Sequence, residues 1–143
     1  MHAHIACPSG GGRQSAASPL TVGRHPMDDG VLITASGEVD ITNASRLESC
    51  LRRGTVPGKP VVLDLTLLAF MDGNGLRVIE RLHAACANTG SPLHLAGLRG
   101  MPARLLRITG RWDLLNVHDS IADAVRAAGR GAQARRPRAS SAG

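Results

Sequence analysis

The sequence predicts a mixed α/β domain: a mostly parallel sheet of four to five strands with about four helices. Two observations lead to it. Short apolar runs, best seen in Val61-Val62-Leu63-Asp64-Leu65, have the length and β-branched content of strands buried on both faces. Longer segments with apolar residues at helical spacing alternate with them, and strands alternating with helices build parallel sheets.

Each element follows from local pattern. Leu20-Thr21-Val22 is a weak first strand and Val31-Leu32-Ile33-Thr34-Ala35 a stronger second. The turn residues Met27-Asp28-Asp29-Gly30 between them predict a hairpin, and so an antiparallel edge. Thr42 or Asn43 is placed to cap a helix with Ala44, Leu47, Cys50 and Leu51 on one face, ended by Gly54 and Pro57-Gly58. After the Val61–Leu65 strand, the segment Phe70-Met71-Asp72-Gly73-Asn74-Gly75-Leu76 forms a strand-to-helix corner. Its helix carries Leu76, Ile79, Leu82 and Cys86 on one side. Leu93-His94-Leu95-Ala96 is the next strand. Pro102 suits the first turn of a helix with Leu105, Leu106 and Ile108, closed by Gly110. Asp119 or Ser120 caps a last helix with Ile121, Ala124, Val125 and Ala128 inward.

The 143 residues allow one domain. Residues 1–18, rich in Gly, Ser and Ala, read as a disordered leader; residues 19–128 are the domain; residues 129–143 are a disordered Arg-rich tail. Phe70 and Trp112 are the only aromatics, so the core must be Leu, Ile, Val and Ala. The formal charge is +6, yet from Leu20 to Val125 eleven basic residues balance eleven acids. The excess lies in Arg13, Arg126, Arg130, Arg135, Arg136 and Arg138. A neutral body with a basic end is no nucleic-acid groove, and two aromatics offer no stacking platform. No direct nucleic-acid partner is expected. Cys7, Cys50 and Cys86 form no paired framework, which points to a reducing compartment. No signal peptide or membrane-length apolar run is present, so a cytoplasmic location without membrane insertion is expected.

In an α/β sheet, functional sites gather at the carboxyl ends of strands. That places the corner from Phe70 to Leu76 on the functional rim. Asp and Asn bond to nearby amides and Gly tolerates tight turns. Asp72 or Asn74 can cap the following helix, whose first amides favour negative charge. Asp40 follows another sheet strand and shares that rim, either as part of a docking surface or as a helix cap.

The residues of the corner resemble the signature of STAS domains, especially anti-sigma factor antagonists. Val62-Leu63-Asp64-Leu65 and the corner itself carry the resemblance. Gly37-Glu38-Val39-Asp40 upstream is similar to the family's Gly-x-(Leu/Val)-Asp. Leu105-Leu106-Arg107-Ile108-Thr109-Gly110 with Leu114-Leu115 is similar to its late Leu-x-x-x-Gly segment. The match runs from about Leu20 to Ala128 and implies a STAS-like fold. It also implies a non-enzymatic, protein-binding regulator in bacterial signalling and transcription, whose partner is an anti-sigma factor of the serine-kinase type. In such members the kinase phosphorylates the first Ser of an Asp-Ser-Ser-Gly motif and switches the antagonist off. Gly73 stands at that Ser and Asn74 at the second, so the usual switch is expected to be absent.

The expected partner surface comprises Asp40, Ile41, Thr42, Met71, Asp72, Gly73, Asn74, Gly75, Leu76, Arg77 and Glu80, with Met71 or Leu76 as exposed apolar anchors. Two other readings stand beside it: a STAS subunit of another signalling or lipid-transport assembly, and an enzyme or small-ligand sensor using the same rim. The sequence contains no phosphate-binding glycine loop or nucleophile elbow, so neither cofactor nor catalytic residue is expected. His2, His4 and Cys7 in the leader, and the scattered His83, His94 and His118, lack ligand spacing, and no metal is expected. Cys50 and Cys86 read as small buried hydrophobes, or as a redox pair locking two helices.

Overall fold

The computed structural model describes residues 19–135, with ten elements in the order β1 (Thr21–Met27), β2 (Gly30–Val39), α1 (Ala44–Gly54), β3 (Val61–Asp64), β4 (Leu68–Met71), α2 (Gly73–Asn88), β5 (Leu93–Ala96), α3 (Gly100–Ile108), β6 (Asn116–His118) and α4 (Ile121–Arg135). The leader lies outside the described residues, as does the chain beyond Arg135. The sheet order is β1-β2-β3-β5-β6, with β4 paired separately to β2. β1 and β2 form the expected antiparallel hairpin around Asp28-Asp29, and every other pairing is parallel.

The six strands exceed the four to five expected, and β4 is the addition. β2 is ten residues long and changes partner along its length. Val31 to Thr34 pair with β3, and Gly37 to Val39 pair with β4. The change falls at a register shift between Gly37 and Glu38, where Gly37 has φ +97°. Such a bulge adds a residue and turns the strand. Between β3 and β4 the chain folds back on Asp64, whose carboxylate accepts from the amide and hydroxyl of Thr66. The corner is therefore entered from its own short strand, not directly from β3.

Alternation along the strands divides the core. Val31, Ile33, Val61, Leu63, Leu93 and Leu95 face Leu47, Leu51, Ile79, Leu82 and Leu106 of α1, α2 and α3. The opposite side places Val62 and Ala96 under Ala124 and Ala128 of α4. The small residues on both sides of this second layer let the helix lie close to the sheet. α4 also continues through Gly129 to Arg135, past the boundary expected for a disordered tail.

Positive φ at Gly37 disfavours any side chain. Gly37→Ala is expected to cost about 1–2 kcal/mol, read as a lower urea midpoint with an unchanged m-value.

Candidate functional site

β2 and β4 end side by side. Val39 pairs with Met71, so Asp40 and Asp72 are the next residues on neighbouring strands. The Asp72 amide donates to the Val39 carbonyl at 3.3 Å. The structure thus brings both carboxylates to one rim, as the strand pattern implied.

Each carboxylate is occupied locally. Asp72 is the N-cap of α2, its Oδ1 accepting from the Asn74 and Gly75 amides at 2.9 and 3.3 Å. The Asn74 Nδ2 donates to Asp72 Oδ2 at 3.2 Å. A cap of this kind is worth about 1 kcal/mol. Asp40 Oδ1 accepts from the Thr42 amide at 2.9 Å and from the Thr42 hydroxyl. The hydroxyl first, and the amide second, hold the Asp40 carboxyl below the usual carboxylate range. Asn43 completes the loop: its Nδ2 donates to the Glu38 carbonyl at 2.9 Å and its Oδ1 accepts from the Asp40 amide at 3.0 Å. This arrangement supports a rigid surface and not a pair for proton transfer.

Two glycines two residues apart have opposite surroundings. A Cβ on Gly75 would lie 2.5 Å from Met71 Cγ and 3.0 Å from Val39 Cγ1. Helix α2 is pressed against the strand ends there, and both neighbours are fully buried. At Gly73 the space is open, and the one heavy atom within reach is an Nη of Arg77 at 4.0 Å. Gly73 and Arg77 are exposed one turn apart on the same face.

The expected apolar anchors are corrected by this packing. Met71 is fully buried and Leu76 is 6% exposed. Met71 fills the space under Gly75, and Leu76 lies on the core face with Ile79, so neither can touch a partner. Ile41 is the exposed apolar residue of the rim, at 76%. Strand alternation would put it inward with Val39, but the Asp40–Thr42 turn ends the strand and leaves it outside. The polar residues around it carried that signal.

Helix α2 is tied on both flanks. Arg81 pairs with Glu48 of α1 at 3.3 Å, and Glu48 also meets Arg52 at 3.2 Å. Glu80 pairs with Arg111 beyond α3. Glu80, expected in the partner surface, is thus half-buried in an internal ion pair. The sequence separation of these partners offered no local signal.

The other clusters also resolve. Cys50 and Cys86 are both core residues on adjacent helices, but Cys86 is a free thiol, so the proposed lock between them is not formed. Burial raises the Cys86 pKa, and the charge of Arg52 opposes it. Cys50 is itself disulfide-bonded, where reduced thiols were expected. His94 and His118 come together across β5 and β6, Nδ1 to Nε2 at 3.0 Å, while His83 lies apart on α2. Among the described residues no three metal-ligating side chains converge. His2, His4 and Cys7 lie outside the described residues. A depression of about 280 Å³ lined by His83, Ser91, Leu93 and Asn116 opens at the opposite end of the sheet, away from the corner. Among the described residues no helix is long and apolar enough to cross a membrane.

A family model of the STAS domain matches residues 22–124. The chain belongs to the STAS domain family. The anti-sigma-F factor antagonist RsfA of Mycobacterium tuberculosis is 28% identical to this STAS domain over 116 residues, covering 79% of this chain and 89% of RsfA. Among solved structures, an anti-sigma factor antagonist from Mycobacterium paratuberculosis superposes with a TM-score of 0.72 at 20% identity, over 81% of this chain and 99% of the other. SLC26A9 matches with a TM-score of 0.66 at 15% identity, over 81% of this chain and 22% of the other. These structural likenesses show that one STAS fold serves both small proteins and part of a much larger one.

Gly75→Ala in this STAS domain is expected to cost about 1–3 kcal/mol through overpacking. Gly73→Ala, with open space, should be neutral or stabilising by up to about 1 kcal/mol. Urea unfolding of the two variants side by side reads the difference. Thr42→Val should move the Asp40 titration up toward the ordinary carboxylate range, followed by carboxyl NMR. Because the folded value is depressed, the Asp40 contribution to stability is present above the unfolded value and fades as pH falls through the folded one. The variant, which keeps the backbone amide, should show a weaker acid-side dependence.

Proposed function

We propose that this STAS domain is a non-enzymatic, protein-binding regulator of the anti-sigma factor antagonist type, acting on a serine-kinase-type anti-sigma factor. Its binding face is the rim made by Asp40, Ile41 and Thr42 with Gly73, Asn74 and Arg77. The supporting observation is that exposed Ile41 stands at the end of β2 while the adjacent first turn of α2 is capped by Asp72 and open to solvent at Gly73. An apolar anchor ringed by polar groups is the form protein contact sites take. RsfA carries the name of an anti-sigma factor antagonist, and 28% identity over most of both chains makes the same class of role the leading reading.

The absence of the usual switch is part of this proposal. The resemblance puts the phospho-acceptor at position 73, and glycine there has no hydroxyl. Gly73 has open space and no positive φ, so the fold itself does not demand glycine at this position. The rim then acts as a surface that a kinase partner can bind without turning it off at this site.

The test is capture of serine-kinase-type anti-sigma factors by the full chain, followed by ATP and intact-mass analysis. Binding by at least one factor, no phosphate on the natural chain at the corner, and one phosphate on Gly73→Ser are expected. Ile41→Asp should weaken capture about tenfold or more with unchanged thermal stability. Failure to capture any such factor from the source proteome overturns the partner assignment; a phosphate mapped to Thr42 overturns the loss of the switch.

A further inference from the structure

The charged side chains of the rim are nearly all satisfied within the chain. Asp40 is held by Thr42, and Asp72 by the first amides of α2. On α2 itself, Glu80 pairs with Arg111 and Arg81 with Glu48. Arg77 lies between these two ties. Among the described residues it has no ion pair or side-chain hydrogen bond, and it is the one charged side chain of α2 in that position. Its guanidinium borders the open space over Gly73, at 4.0 Å from where a Cβ would stand. An exposed cation thus edges a notch one side chain deep.

We propose that the protein partner of this face places an Asp or Glu side chain in the notch over Gly73, paired with Arg77. This inference rests on the protein-binding reading above and adds the chemistry of the contact. Charge complementarity selects the occupant. Asp40, Asp72 and Glu80 are engaged internally, so a partner carboxylate at Arg77 meets an uncommitted cation. A guanidinium offers a planar fork that matches a carboxylate with two parallel hydrogen bonds. The missing Cβ at Gly73 lets the acid approach along the helix face. The same geometry explains how a rim without a hydroxyl at 73 can still use the cation beside it: an acid in trans occupies the place that a charged group at 73 would take in cis. Ile41, across the rim, supplies the apolar part of the contact.

The experiment uses the full chain and the anti-sigma factor captured above, with affinity measured at two salt concentrations. Arg77→Glu is expected to weaken binding about tenfold or more, and Arg77→Gln to flatten the salt dependence. Gly73→Asp, which offers Arg77 an internal acid, should weaken binding by a similar factor while leaving thermal unfolding unchanged. Reversing one partner acid to Arg should rescue Arg77→Glu, and this rescue identifies the acid. Full-strength binding by Arg77→Glu, with the wild-type salt dependence, overturns the inference and leaves the protein-binding reading standing. Absence of any captured partner sinks that reading instead. Equal protection of the Arg77 side chain by inorganic phosphate alone, seen by NMR, would mark a free-anion site and also overturn the protein carboxylate.

Discussion

The rim depends on one close approach, that of Gly75 to Met71 and Val39. At a separation that leaves no space for a Cβ, the first turn of α2 sits directly on the ends of β2 and β4. Met71 is fully buried beneath it and cannot swing aside without opening the core. Protein interiors are packed like crystals, so such a contact transmits position rather than absorbing it. It sets where Gly73 and Arg77 emerge relative to the loop at Ile41. A larger residue would lift the helix and separate the two halves of the face.

Electrostatics reinforce that placement. Surface ion pairs such as Glu48–Arg81 contribute little net stability, but they bridge α1 to α2 and restrict how the helix can roll. Glu80 and Arg111 do the same toward the far flank. The turn at Asp40 and the cap at Asp72 remove two carboxylates from competition for a partner. What remains outward is apolar Ile41, neutral Thr42, Gly73 and Asn74, and the cation of Arg77. The two glycines differ for the same reason. Position 75 is dictated by packing, whereas position 73 is free of both steric and backbone demand. Glycine at 73 is thus a residue that the fold tolerates and does not require.

Much of this was legible residue by residue. The Met27–Gly30 turn, the β3 and β5 runs and the faces of α1 and α2 follow from periods of two and 3.6, which are local properties. Asp72 as a cap follows from its position before a helical run. β4 was not legible, because Leu68 to Met71 is short and its pairing depends on a bulge in a strand reached through α1 and β3. The burial of Met71 and Leu76 was missed for a related reason: a corner read in isolation looks exposed, and only the helix pressed on it makes it core. Cys50 and Cys86 were each correctly placed inside, but sharing a core is a weaker condition than being bonded to one another.

By itself the sequence determined the family, the order of strands and helices apart from β4, and the absence of a hydroxyl at Gly73 and Asn74. These are carried by residue identity and short-range spacing, which need no knowledge of neighbours distant in the chain. Tertiary structure alone decided which rim side chains are outward and which charges are uncommitted. Burial of Met71 against Val39, and the contrast between Arg77 and its paired neighbours, depend on groups tens of residues away. Packing and ion pairing join such groups only when the sheet has assembled.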